Sequence, residues 1–394
     1  MRRRAAPLSA TATSRYLRDV QTLSRHADRD APVVVVSNRL PITVQRGPRG
    51  PEVQPSAGGL VSALDPVLRA RGGTWIGWSG VDQSADEIIP NTLPYRIASV
   101  PLSESEVQRY YQGFSNGTLW PLFHSLPVLA RFERADWAAY ERVNTRFAEI
   151  VLQMTSEGDL VWVHDYHLML VPEQVRQIAR DRRIAFFLHI PFPPYDLFRL
   201  CPWEGELLTG LLGCDLIGFQ IESYARNFMD CVERGLGARV DRKRRIVEYG
   251  NRTARVGVFP IGISFRDFES TAYAEVAPGA PKREHVVLGV DRLDSTKGIP
   301  HRIRAFERLM EVHPEHREQV TFLQLAVPSR AQVAEYRSLK REIDEMVGRV
   351  NGRFATASWS PIRYLYRSMS RERLAALYRD AAVALVTPLR DGMN

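Results

Sequence analysis

The chain is 394 residues long, 44% apolar and 25% charged, ordinary values for a globular protein with room for two domains. No apolar run reaches the roughly 18 to 20 residues of a membrane helix, and residues 1–30 lack the apolar segment of a secretory signal, so the sequence reads as cytoplasmic with no membrane partner. The net charge of +8 is local, with +4 in residues 1–30 and +5 in residues 239–255, whereas a nucleic-acid stripe would follow one face with aromatics interleaved.

Residues 1–30, rich in Arg, Ala, Ser and Thr, read as a disordered basic tail rather than a transit peptide. Pro32–Ser37 then opens an α/β domain with a fully apolar strand, followed by Asn38, Arg39, Leu40 and Pro41. The absence of a G-x-G-x-x-G fingerprint after this strand counts against a nicotinamide or flavin enzyme. Gly58 and Gly59 open a helical pattern through Leu68, where glycine permits close backbone approach to a ligand and a helix start suits phosphate. Trp75–Trp78 reads as a strand and Glu104–Gly113 as a helix. It runs into Tyr110, Tyr111, Phe114, Ser115, Asn116 and Trp120, aromatics that suit either a sugar face or a core. Asp136–Met154 has the spacing of a long helix.

The stretch 159–194 organises this domain. Leu160–Val163 and Ile184–Leu188 are two apolar strands joined by a helical pattern, and they end on His164 with Asp165 and on His189. Strands this apolar belong in a parallel sheet covered on both faces, whose ligands sit beyond the carboxyl ends. Pro191, Phe192, Pro193 and Pro194 fix the direction of the chain after His189. A helix over Trp203–Leu212, a strand over Asp215–Phe219, a helix over Ile221–Gly235, a basic hairpin around Arg242–Arg245 and a last strand over Val256–Ile263 follow. Cys201, Cys214 and Cys231 show no metal or disulfide spacing and read as buried thiols.

Residues 269–285 read as a linker, which gives an N-terminal domain over 31–268 and a second α/β domain over 286–394. The second begins with the strand from Val286 and the charged turn Asp291–Gly298. It continues through a helix to His313, a strand over Val320–Val327, a helix over Ala331–Val350, a helix over Arg371–Arg379 and a strand over Ala382–Val386. Its strands also end on charged residues, the chemistry expected for a phosphorylated ligand.

VVVVSNRLP, SAGGL, WIGWSG, YYQGFSN with LWP, VWVHDYHL, FFLHIPFPP, GVDRLDSTKG, VPSR and TPLRDGMN occur in the order found in trehalose-6-phosphate synthases, and the chain resembles that family from about Val33 to Asn394. The resemblance implies two facing Rossmann-like domains in the GT-B arrangement, with the second domain incomplete. It implies transfer of glucose from UDP-glucose or another NDP-glucose to glucose 6-phosphate with retention, giving α,α-trehalose 6-phosphate, without a metal or other cofactor. Self-association is compatible with it.

By resemblance, Arg292 and Lys297 serve the donor diphosphate and Gly58 offers it a backbone donor. His189 and Asp391 hold hydroxyls of the transferred glucose. Met369, Gly392, Met393 and Asn394 complete the donor site, and Arg39, Tyr111, Trp120, Asp165 and Arg330 form the acceptor pocket. Ser295 and Thr296 depart from the family's Tyr-Ser before the lysine, and Met369 replaces an aromatic of some members, which leaves the nucleotide base open. Family members continue past DGMN, so a longer gene product or an impaired form is expected. The competing readings are a relative with another acceptor, such as a glucosylglycerol-phosphate synthase or a pseudo-glycosyltransferase, and a non-catalytic sugar-phosphate sensor.

Overall fold

The apolar runs of the sequence become the central strands of two sheets in the computed structural model, which describes residues 32–47, 50–56, 59–82, 93–274, 285–328 and 334–392. The chain divides into two compact units. The first holds the described residues up to 122, 127–189 and 194–258, and the second holds 123–126, 190–193 and the described residues from 259 onward.

The first unit runs β1 (Val33–Arg39), the hairpin β2 (Ile42–Gly47) and β3 (Gly50–Pro55), α1 (Gly59–Arg71), β4 (Thr74–Trp78) and β5 (Arg96–Ser99). A segment of mostly π-helix over residues 104–119 leads to α2 (Arg134–Met154), β6 (Leu160–His164), α3 (Val171–Ile178), β7 (Arg183–Phe187), α4 (Glu204–Leu211) and β8 (Leu216–Phe219). It closes with α5 (Glu222–Leu236), β9 (Arg239–Asp241), β10 (Ile246–Tyr249) and β11 (Arg252–Val258). The sheet order is β5-β4-β1-β6-β7-β8-β11-β10-β9, parallel from β5 to β11.

Residues Val33–Val36 of β1 are at most 3% exposed, because the strand has neighbours on both edges and helices over both faces. Leu64 and Leu68, four apart on α1, close over Val33, Val35 and Trp75. The chain leaves β1 toward β4 and β5 and returns to β6 on its other side. The carboxyl ends of β1 and β6 therefore flank the switch point of the sheet, where ligands of such sheets bind.

The second unit runs α6 (Phe265–Ala274), β12 (His285–Arg292), α7 (Ile299–Val312), β13 (Val320–Val327), α8 (Ala334–Phe354), β14 (Ile362–Tyr366), α9 (Arg371–Asp380) and β15 (Val383–Ala384). Its sheet, β14-β13-β12-β15, is wholly parallel. Ile299, Ile303 and Phe306 of α7 meet Phe322, Ile343, Val350 and Ile362 in its core.

Four differences from the sequence reading stand out. Residues 269–274, read as linker, belong to α6, which packs on α9 with Phe268 and Tyr378 edge to face at 5.9 Å; residues 275–284 lie outside the described part. The last strand of the first unit spans Arg252–Val258 and stops before Pro260, whose missing N–H cannot extend a ladder. β14, a short I-R-Y-L-Y segment, was not anticipated, and the strand over Ala382–Val386 pairs only at Val383 and Ala384. The basic hairpin is formed by β9 and β10, and its Arg242 meets Asp230 at 2.6 Å and Glu233 at 2.7 Å.

Candidate functional site

In the first unit the polar groups gather at the carboxyl ends of β1, β4, β6 and β7. Parallel pairing aligns Arg39 with Trp78, so the last residues of β1 and β4 meet. The exposed Arg39 guanidinium lies 4.4 Å from the Trp78 ring centroid and 5.6 Å from that of Tyr111. Two aromatic faces thus hold a permanent cation in place.

Tyr111 comes from the π-helix Val107–Leu119, whose wide turn is visible in the Trp120 N–H donating to Ser115 O and the Asn116 side-chain amide donating to Tyr111 O at 2.7 Å. Such turns are rare and concentrate at functional sites. Gly113 lets the segment pass α2, since a Cβ there would overlap the Asp136 carboxylate. The consecutive tyrosines meet consecutive residues of β1: Tyr110 donates to Asn38 Oδ1 at 2.8 Å, and Tyr111 faces Arg39. Tyr111 also stacks on His167 at 5.7 Å, and Trp120 lies 5.7 Å from Tyr166, whose hydroxyl donates to Asn116 Oδ1 at 3.0 Å.

Asp165 adopts φ 73°, a conformation uncommon for a residue with a Cβ. Its surroundings hold it there: its N–H donates to Phe187 O at 2.8 Å, and its Oδ1 accepts the His189 N–H at 3.3 Å. The exits of β6 and β7 are thereby clasped together. His164 Nδ1 and His189 Nε2 are 3.0 Å apart, while His164 Nε2 is buried with no partner among the described residues. Leaving a lone pair bare is cheaper than leaving an N–H bare, which assigns the shared proton to His164 Nδ1 and makes His189 Nε2 the acceptor. Both rings are neutral. Burial pushes His189 down to about 4, and burial followed by the neighbouring His189 holds His164 well below the usual range.

The second unit gathers its polar groups at the exits of β12 and β15. Asp294 caps the turn after β12, accepting from Thr296 N–H at 3.1 Å and from Tyr336 hydroxyl at 2.8 Å. Gly298 takes φ 66°, and the Leu389 N–H donates to Thr296 O at 2.8 Å, tying the two exits together. There Lys297 Nζ pairs with Asp391, both side chains about nine-tenths buried. Asp391 Oδ1 also accepts the N–H of buried Gly392 at 2.8 Å. Behind them the buried Arg302 donates to Asp291 at 2.6 Å, Gln324 at 2.9 Å and Thr387 at 3.0 Å, joining β12, β13 and the exit of β15. Arg292 is exposed as the last residue of β12, and Met369 is half-buried just beyond β14. Gly58, Arg330, Met393 and Asn394 lie outside the described residues.

Residues 31–394 match the family described as Glycosyltransferase family 20. The chain belongs to that family. It is 45% identical over 382 residues to a bifunctional trehalose-6-phosphate synthase/phosphatase of Thermoproteus tenax, with 92% of this chain and 51% of that protein covered. It is 44% identical over 387 residues to a trehalose-6-phosphate synthase of Mycolicibacterium vanbaalenii, with 92% and 78% covered. The chain thus spans about half of the bifunctional relative and about three-quarters of the monofunctional one. Among solved structures, an α,α-trehalose-phosphate synthase (UDP-forming) from Burkholderia xenovorans in complex with glucose-6-phosphate aligns with a TM-score of 0.83 at 36% identity, covering 92% of this chain and 80% of that one. At this similarity the α/β architecture with Rossmann-like sheets is that of the family 20 enzymes.

Within the first unit the structure brings together Arg39 with Tyr111 and Asp165 with His189; within the second it joins Lys297 to Asp391. Two neighbours were not singled out from sequence as site residues, Trp78 beneath Arg39 and His167 against Tyr111, while His164, expected at the ligand crevice without a specific role, meets His189. Strand ends carried a usable signal for Trp78 and His164, since each closes a strand next to or on the switch point. Nothing in the sequence marked His167. A cleft of about 500 Å³ at the amino ends of β1, β4 and β5 lies at the opposite edge of the sheet from these groups.

Proposed function

We propose that this chain transfers glucose from UDP-glucose to glucose 6-phosphate with retention, giving α,α-trehalose 6-phosphate and UDP, as its family 20 relatives are named for doing. The observation that carries the reading is the Arg39 guanidinium, seated on Trp78 and Tyr111 at the switch point of the first sheet, in a chain of which 92% aligns with a synthase solved in complex with glucose-6-phosphate. A fixed guanidinium beside aromatic faces suits a sugar phosphate. The cation takes the phosphate, and the rings cover the apolar face of the sugar.

In this proposal the first unit holds the acceptor through Arg39, Tyr111, Trp120, Asp165 and Arg330. His189 binds a hydroxyl of the transferred glucose as a neutral ring with a defined donor and acceptor side. The second unit holds the donor through Arg292 and Lys297 on the diphosphate and Asp391 on the glucose, with Gly58 of the first unit, Met369, Gly392, Met393 and Asn394 completing that site. Two cations offset the charge that grows on the departing UDP, which itself takes the acceptor proton. Lys297 and Asp391 hold each other in the free chain, so each is positioned before the donor arrives. We also place the protein in the cytoplasm, a reading supported by three buried cysteines outside any disulfide.

Product analysis tests the proposal. Incubation of the full-length protein with UDP-glucose and glucose 6-phosphate should give a non-reducing disaccharide phosphate whose two anomeric centres are both α by NMR. A reducing product, or a product formed only with a different acceptor, would contradict it.

A further inference from the structure

A second cluster of ligand-type side chains lies in the second unit, where α7 ends. His313, Pro314, Glu315 and His316 are consecutive, and one ligand atom from each of His313, Glu315 and His316 lies within 4.8 Å of the other two. We propose that this His-Pro-Glu-His turn is a zinc-binding site with two imidazoles, one carboxylate and an open position for water.

The backbone of the turn is fixed before any ion arrives. His313 N–H closes α7 on Leu309 O at 2.9 Å, His316 N–H returns to His313 O at 3.1 Å, and Gln319 N–H returns to His316 O at 3.2 Å. Arg317 leaves the cluster to cap α7, with Nε and Nη2 on Met310 O at 3.0 and 2.8 Å and the guanidinium 4.9 Å from the Phe354 ring centroid. Its charge is thus committed elsewhere, and only the ligand side chains need to move. His313 Nδ1 already meets Glu315 Oε1 at 3.0 Å, and the two imidazole centroids are 5.8 Å apart. A tetrahedral zinc ion needs ligand atoms about 3.3 Å apart, so the set closes through small rotations of side chains that are at least half exposed at His313 and Glu315.

The chemistry selects the metal class. Two imidazole nitrogens and one carboxylate oxygen are borderline donors, suited to zinc rather than to magnesium or calcium. The thiols do not compete. All three cysteines are buried in the first unit, and burial pushes Cys201 up to about 12 and raises Cys214 and Cys231. The pattern escaped the sequence reading because all three ligands come from one four-residue turn, whereas familiar zinc motifs draw theirs from two separated pairs.

Calorimetric titration of tag-free protein with Zn²⁺ should show one saturable site that is lost in His313→Asn and in His316→Asn and weakened in Glu315→Gln. Co²⁺ bound in its place should give a visible d–d spectrum that the same two histidine variants abolish. Far-UV circular dichroism checks that each variant is folded. No saturable site in the parent protein, or a site of equal affinity in either histidine variant, would overturn the proposal.

Discussion

Arg39 is the residue whose environment says most about its task. Among the described residues its guanidinium is oriented by two rings, so its donors suit an anion that presents two oxygens side by side, such as a phosphate. A charge-assisted contact of this kind contributes about 1.5 to 3 kcal/mol, so Arg39→Ala should raise KM for glucose 6-phosphate by about 10- to 150-fold with kcat at saturation little changed. Arg39→Lys should restore only part of this, since an ammonium loses the stacked fork; initial-rate kinetics with varied acceptor would check both. The His164–His189 pair predicts two further effects. His164→Ala removes the donor that fixes the His189 tautomer, and kcat/KM for UDP-glucose should fall by about tenfold, the equivalent of one hydrogen bond. A wild-type value would show that His164 does not position His189. Both imidazoles are depressed in the folded state, so the unfolded chain binds more protons as pH falls below about 6.5 and stability must rise with pH between about 4 and 6.5. For His189 alone, a shift to about 4 corresponds to about 3 kcal/mol lost by pH 4. Urea unfolding at pH 4.5 and 7 should show a smaller difference in His164→Ala than in the parent. At this scale the sequence was legible where a polar residue closes an apolar strand, as at Arg39 and His189. It was silent where a partner arrives from elsewhere in the fold, as His167 does against Tyr111.

At the level of elements, the parallel strands place these residues and the turns between elements hold them. β1, β6 and β7 could be read from sequence because parallel strands buried on both faces are written as unbroken apolar runs, and β12 from its run Val286–Val290, although only Leu288 and Gly289 in it are buried. The π-helix could not, because no side-chain periodicity distinguishes a wide turn from an α-helical one; its consequence is the register of Tyr110 and Tyr111 against Asn38 and Arg39. β14 was missed because its five residues, I-R-Y-L-Y, neither alternate cleanly nor form an unbroken apolar run, and α6 because its second half joins a stretch of Ala, Pro, Glu and Lys with little periodicity. The turn after β12 offers a test of how an element serves the site. Gly298 has φ 66°, and a Cβ there would lie 2.9 Å from Thr387 O, so Gly298→Ala should destabilise the protein by about 1 to 2 kcal/mol. The same change shifts the turn that carries Lys297, so UDP-glucose affinity should fall as well. Unchanged urea midpoint and unchanged donor affinity would mean that the turn relaxes without cost.

For the molecule as a whole, charge and topology divide the labour between the units. Much of the net positive charge sits on the β9–β10 hairpin, where Arg242 and Arg245 are met by Asp230, Glu233 and Glu222, while the cations at the strand ends are few and individually placed. In the proposed reading each unit presents its functional groups at the carboxyl ends of parallel strands. The first offers Arg39, Asp165 and His189, and the second offers Arg292, Lys297 and Asp391. A transferase needs both sets to act in one cycle, so neither substrate alone should turn over. The most direct test is UDP release from UDP-glucose by the full-length protein, measured with and without glucose 6-phosphate. The account predicts release that depends on glucose 6-phosphate and that falls by about 10²- to 10³-fold in Lys297→Ala. Release at the same rate without the acceptor, or none when both substrates are present, would contradict it.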